Sequence, residues 1–494
     1  MASNDEQQPL HVLLFPFVAP GHLIPVADMA ALFASHGVKC TILTTPANAD
    51  VIRSAVDGAN NAVCSTGAPE IDISTVPFPD VGSLAPGVES VVGISSEADR
   101  SRLLEAVRLL REPFDRFLAD HRPDAVVADS FYPWTTDTAA EHGVPRLCFL
   151  GTSMFARACN ASLLCSNTLE LEGLPPDDPD AIVSLPGLPH RVTLRRGQVM
   201  DPRKNELEWN YGKLVNAADQ RSYGEVFNSF AELEPGYAEH YRTALGRRVW
   251  LVGPVGHASD VLAARGGAGE LSLEAERCLR WLDQKPDGSV VFISFGTLTR
   301  FTAVEQREVA RGLQLSGRNF VWVMSESEAE PSQWMPEGFA ELIDPREHGI
   351  IFWGWAPQRL ILGHSAVGGF VTHCGWNSVL EAVSAGVPLV TWPRHGDQFY
   401  NEKLILEVLK IGVSVGSRFS ATKVEVRSEV INGEKIAEGI DRVMGDDEEA
   451  EAVRKKAVDL RGKARSAIEK GGSSYDDLDQ LITELMARRN SVSV

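Results

Sequence analysis

The sequence predicts an α/β protein made of two doubly wound domains in tandem. Three observations carry this expectation. The chain has 494 residues, more than one hydrophobic core normally supports. Short β-branched runs alternate with longer helical patterns at the start of the chain, the signature of a parallel sheet covered by helices. The same alternation restarts after residue 285.

In the first half the strand-like runs are HVLLFPF, VKCTILTT, IDISTVPF, DAVVAD and PRLCFL. Between the first two, Leu23, Val26, Ala27, Ala30 and Phe33 keep a helical spacing, with Pro25 in the first turn and Gly37 just past the end. In the second half the runs are SVVFISFG, NFVWVMS, GIIFWGW, AVGGFVTH and VPLVTW. Two Rossmann-like domains follow, at 1–254 and 273–470, with the Gly-, Ala- and Ser-rich stretch at 255–272 as linker. The Pro-rich EGLPPDDPDAIVSLPGLPH reads as a long surface loop within a less regular region from about 155 to 250. From Lys435 to Arg489 the chain reads as helical, and 471–494 is expected to be a C-terminal helix packing back on the first domain.

At 44% hydrophobic and 23% charged the composition is that of a soluble globular protein. A net charge of −20 repels polyanions, which argues against nucleic acid and anionic membranes as partners. Any phosphate must therefore be held locally. Seven cysteines without regular spacing point to reduced thiols, and the acidic, Pro-interrupted N-terminus is not a secretory signal. A cytoplasmic monomer without membrane insertion is expected.

Open parallel sheets bind ligands at the carboxyl ends of their strands, where strand order reverses, and there the first and fourth strands are neighbours. In the first domain that rule brings together His22, after APGH, and Asp129, at the end of VVAD. A carboxylate beside an imidazole fixes its tautomer and leaves the other ring nitrogen as a general base. The bland alternative is that His22 merely starts a helix and Asp129 caps one. In the second domain the rule sets Gly296 and Thr297 opposite the segment from His373 to Ser378. GWNS opens a helix, and its unpaired amides and positive dipole end make an anion site suited to a diphosphate. Neither a P-loop nor a dinucleotide-binding glycine fingerprint follows any strand, and no Gly-x-Ser-x-Gly elbow occurs. His364, His373 and Cys374 lack a fourth ligand at a metal-like spacing, so no metal and no cofactor are expected.

The segment from Trp355 to Gln398, with WAPQ, ILGHSAVGGFVTHCGWNSVLEAV, GVPLVTWP and DQFYNEKL, resembles the signature box of plant UDP-dependent glycosyltransferases of secondary metabolism. PGHLIPVADMA, ADSFYPWTTDTA, GEVFNSFAELEP, VGPV and VVFISFGTLT fit the same family in order, so the resemblance covers nearly the whole chain. It implies the GT-B fold, two tandem Rossmann-like doubly wound domains facing a cleft, with an acceptor-binding first domain, a UDP-sugar-binding second domain, and UDP-sugar as co-substrate. It also implies site residues. Trp355, with Ala356 beside it, would stack on uracil and Gln358 would read the uracil edge. His373, Gly375, Asn377 and Ser378 would hold phosphate, and the hydroxyl of Thr297, set opposite them by strand order, adds a donor. Trp376 would back the sugar, Glu381 would hold ribose hydroxyls, and Asp397 and Gln398 would hold the sugar. Trp353 reads as core more than Trp355 does.

The implied reaction is inverting transfer of glucose from UDP-glucose to a hydroxyl of a small apolar metabolite, a flavonoid, terpenoid or phenolic, with His22 as base and Asp129 supporting it. The terminal Gln398 fits glucose. The alternatives are another donor (UDP-galactose, UDP-xylose, UDP-arabinose or UDP-glucuronate) and a non-catalytic binding protein. The sequence departs from the family at PRHGDQ. There Arg394 raises the question of a uronic acid donor, but an exposed structural arginine is the favoured reading.

Overall fold

The computed structural model describes residues 8–64, 67–82, 84–85, 87–94, 96–166, 173, 178–204, 206–257, 272–325, 330–343, 348–420 and 429–492. Two parallel sheets organise them. In the first, β1 (His11–Phe15), β2 (Lys39–Thr44), β3 (Ile71–Thr75), β4 (Ala125–Asp129), β5 (Arg146–Phe149), β8 (Gly224–Phe227) and β9 (Val249–Leu251) lie in the order β3-β2-β1-β4-β5-β8-β9. In the second, β10 (Val290–Ser294), β11 (Asn319–Met324), β12 (Gly349–Trp353), β13 (Val367–Thr372), β14 (Leu389–Thr391) and β15 (Gly412–Ser414) lie in the order β12-β11-β10-β13-β14-β15. Strand order reverses between β1 and β4 and between β10 and β13, so both switch points fall where the topology rule puts them. The protein is thus α/β with two tandem Rossmann-like domains.

The central strands are apolar and buried throughout, as strands covered by helices on both faces must be. The helix Pro20–Ser35 is apolar on nearly every side because it too is enclosed: Leu23, Met29, Ala30, Phe33 and Ala34 are almost inaccessible. Pro20 occupies its first turn, where no backbone donor is lost. In the second domain Thr302 and Glu305 close a capping box at the start of the helix Ala303–Ser316.

The helix Ser473–Val492 returns to the first domain. Leu478, Leu481 and Leu485 join the core formed by the helix Pro20–Ser35 and strands β1 and β2, and Asp477 accepts the Leu251 amide at the end of β9. Burying a leucine is worth about 1.5–3 kcal/mol, so this helix is firmly held. Another apolar cluster runs between the domains, joining Met154, Phe155 and Cys159 to Tyr400, Leu404 and Ile405.

Two expectations are corrected. The Pro-rich stretch is not simply a surface loop: Ile182–Leu185 (β6) pairs antiparallel with Val192–Arg195 (β7), and Val183 and Leu185 are buried. Pro179 and Pro186 flank the strand and leave its ladder intact, while residues 172 and 174–177 of the stretch lie outside the described residues. Trp353 is not core, being 39% exposed at the end of β12. Of the linker at 255–272, residues 258–271 lie outside the described residues. No described helix is long and apolar enough to cross a membrane.

Candidate active site

The two switch points face a single cleft of about 2330 Å³. Cavities for one small ligand usually run to roughly 300–1,000 Å³, so there is room for two co-substrates. Every sequence-predicted site residue lines it except Asp129, which is buried directly behind His22.

On the first-domain side, His22 sits in the opening turn of the helix that follows β1, and Asp129 is the last residue of β4. His22 Nδ1 lies 2.6 Å from Asp129 Oδ2. The other carboxylate oxygen accepts the Phe131 amide at 2.9 Å, which fixes the Asp129 rotamer. Among the described residues the second ring nitrogen of His22 has no partner. Burial disfavours the imidazolium most strongly. The charge and hydrogen bond of Asp129, helped by Asp397, outweigh it and raise the pKa above its ordinary value.

On the second-domain side the helix Trp376–Ala385 begins at the tip of β13, with Asn377 and Ser378 in its first turn and Gly375 as its cap. The backbone must turn sharply there, and Cys374 takes a left-handed φ of 66°. The imidazole of His373 packs against two glycines. A Cβ on Gly296 would lie 2.7 Å from His373 Nε2, and one on Gly375 would collide with the same atom. Burial, seconded by His395, depresses His373 to about 3, so it is a neutral ring and a donor through one nitrogen only. Thr297, on the loop after β10, also lines the cleft.

Trp355, 66% exposed, presents its ring to the cleft next to Ala356. Gln358 Nε2 donates to Ser378 Oγ at 2.9 Å and to Glu381 Oε2 at 2.7 Å, so these three side chains form one unit. Gln398 is largely committed to the backbone: its Oε1 accepts the amides of Arg394 and His395. Arg394 is a correction. It is buried rather than exposed, pairing with Glu305 at 2.7 Å and lying over the ring of Phe301.

Hydrogen bonds across the cleft were not legible in the sequence. Asn377 Nδ2 donates to the carbonyl of Gly21 at 2.8 Å, while Asn377 Oδ1 is buried without a partner among the described residues. The Trp376 indole donates to the carbonyl of Asn228, Thr152 donates to Asp397, and Ser153 donates to Asn401. The small polar GTS after β5 was the one available signal, since it too follows a strand tip. Among the described residues the one cluster of metal-ligating types is Cys148, Asp219 and Glu225. Arg146 and Arg157 already neutralise its carboxylates, so it is an ion-pair network.

Residues 271–443 match the family of UDP-glucoronosyl and UDP-glucosyl transferases. The chain is 41% identical to a UDP-glucose flavonoid 3-O-glucosyltransferase of Fragaria ananassa, covering 97% of this chain and 96% of that protein. It is 42% identical to a scopoletin glucosyltransferase of Nicotiana tabacum, covering 96% and 98%. The chain belongs to the plant UDP-glycosyltransferases. Glycyrrhiza uralensis UGT73P12, solved with glycyrrhetinic acid 3-O-monoglucuronide, superposes on this glycosyltransferase with a TM-score of 0.88 at 36% identity, covering 98% of this chain and 97% of that one. Medicago truncatula UGT71G1, solved with UDP-glucose, superposes with a TM-score of 0.78 at 25% identity, covering 97% and 99%.

In this UDP-glycosyltransferase the loop bearing Thr152 is held from below. Glu234, fully buried, accepts the amides of Met154 and Phe155 and the hydroxyl of Ser229. Burial pushes its carboxyl up to about 7 despite those donors. The helix that follows Thr152 therefore starts at a fixed place.

Proposed function

We propose that this glycosyltransferase moves glucose from UDP-glucose to a hydroxyl of a small, largely apolar metabolite of the flavonoid, terpenoid or phenolic type, with inversion at the anomeric carbon. One observation carries the reading: the His22–Asp129 pair at 2.6 Å faces the start of the Trp376–Ala385 helix across the cleft, and Asn377 ties the two together through Gly21. The free nitrogen of His22 takes the proton of the acceptor hydroxyl as its oxygen attacks the anomeric carbon of the α-linked donor. The bond from that carbon to the diphosphate breaks, its electrons leave with UDP, and Asp129 stabilises the imidazolium. The helix amides, Ser378, Thr297 and His373 receive the charge that develops on the leaving diphosphate.

Trp355 stacks on the uracil, an exposed aromatic face being well suited to a flat base. Gln358 and Glu381 serve the uracil edge and ribose hydroxyls, and Asp397 and Gln398 hold the sugar, Gln398 through its Nε2. Glucose is favoured because the named glucosyltransferase relatives match the chain over nearly its full length and because Arg394 is occupied by Glu305. The protein acts as a cytoplasmic monomer with no cofactor beyond its co-substrate. Incubation with UDP-glucose and a panel of phenols and terpenoid alcohols should release UDP and yield β-glucosides. Tight UDP-glucose binding with no UDP release on any acceptor would leave only a binding protein.

A further inference from the structure

The acceptor half of the cleft contains a charge that binding an apolar aglycone does not use. Its rim carries large apolar side chains open to solvent: Val51, Val92, Leu104, Leu207 and Leu214 all line the cleft and are between 39% and 83% exposed. Among them stands Arg108, exposed, in the last turn of the helix Glu97–Leu109. The other arginines of this half are committed. Arg100 pairs with Glu208, Arg221 with Asp137, and Arg157 lies buried between Asp219 and Glu225. The side chain of Arg108 forms no hydrogen bond or ion pair among the described residues.

Arg108 lines the same cleft as Tyr211, Phe131 and His22. Tyr211 donates to the carbonyl of Phe131 at 2.6 Å. The Phe131 ring is 5.6 Å from that of His22. Arg108 and His22 are thus two residues of one cleft, with the aromatic pair Tyr211 and Phe131 also on its lining. A guanidinium offers a planar fork of donors matched to a carboxylate.

We infer that the preferred acceptor is an amphipathic hydroxy acid: an aryl or polycyclic body bearing the reacting hydroxyl at one end and a carboxylate, held by Arg108, at the other. This rests on the transfer reading above and narrows its acceptor.

The test compares a polycyclic hydroxy acid with its methyl ester at saturating UDP-glucose, in the wild type, Arg108→Gln and Arg108→Lys. Because acid and ester are measured on the same preparation, their ratio of kcat/KM is independent of how much of a variant is folded. The wild type should favour the acid by about tenfold, roughly 1.4 kcal/mol. Arg108→Gln should bring the ratio to about one through a raised KM for the acid, and Arg108→Lys should keep part of the preference. A wild type that turns over the ester as well as the acid, or a ratio unchanged in Arg108→Gln, overturns the inference while leaving glucosyl transfer intact. No UDP release with acid, ester or simple neutral phenols overturns both.

Discussion

Thr152, on the first domain, donates its hydroxyl to Asp397 Oδ2 on the second at 2.6 Å. The same oxygen accepts from Asn401 Nδ2 at 3.0 Å, and the Asp397 charge reaches His22, where it helps hold the imidazolium. One carboxylate therefore belongs at once to the proposed sugar end of the site, to the domain interface and to the field around His22.

Thr152→Val keeps the shape of the side chain and removes the donor. A lost hydrogen bond to a charged group costs about 1.5–3 kcal/mol. The KM for UDP-glucose should rise by roughly tenfold or more, and Thr152→Ser should restore it. Steady-state kinetics of the two variants check this.

The pH dependence follows from the raised pKa of His22. The base works only as neutral imidazole, so kcat/KM should fall as pH drops through a value above 6.5. Asp129→Asn removes the main influence that raises this pKa and leaves burial, which lowers it. The acid limb should then move to lower pH, and the plateau should drop by about 10²-fold as the imidazolium loses its partner. Stability runs the other way: His22 binds its proton more tightly folded than unfolded, so its contribution is full below about 6.5 and is lost as pH rises through the raised value. A pH–rate profile and thermal melts across the same range measure both.

Gly296 takes φ 72°, and a methyl group there would press on His373. Gly296→Ala combines left-handed strain of about 1–2 kcal/mol with displacement of the ring. UDP affinity should fall by about tenfold, measurable by calorimetric titration.

The ion pair of Arg394 and Glu305 is buried, so removing one partner strands the other. Arg394→Met should cost about 3–5 kcal/mol of stability and leave the ranking of UDP-glucose over UDP-glucuronate unchanged. Thermal melts together with donor competition separate the two effects.

These residues also show what the sequence could and could not reveal. The adjacency of His22 and Asp129, 107 positions apart, follows from strand order alone, which hydrophobic periodicity discloses. The helix start at Asn377 is legible because a glycine-rich turn and a polar first turn mark it locally. The burial of Arg394 is not legible in sequence because its partner, Glu305, lies on a helix of distant sequence and no local pattern pairs them. The exposure of Trp353 is not legible either, because it comes from β12 being the edge strand of its sheet. The β6–β7 hairpin was hidden by a proline content that describes its flanks. The bonds of Asn377 to Gly21 and of Thr152 to Asp397 depend on how the domains dock, and no periodicity records that.

The most direct measurement is glucosyl transfer and UDP binding by His22→Ala, side by side with the wild type. General-base catalysis is worth about 10²- to 10⁴-fold. The account predicts a kcat loss in that range with the Kd for UDP changed by less than about twofold, since the anchoring groups lie on the other domain. Near-normal turnover by His22→Ala would contradict it.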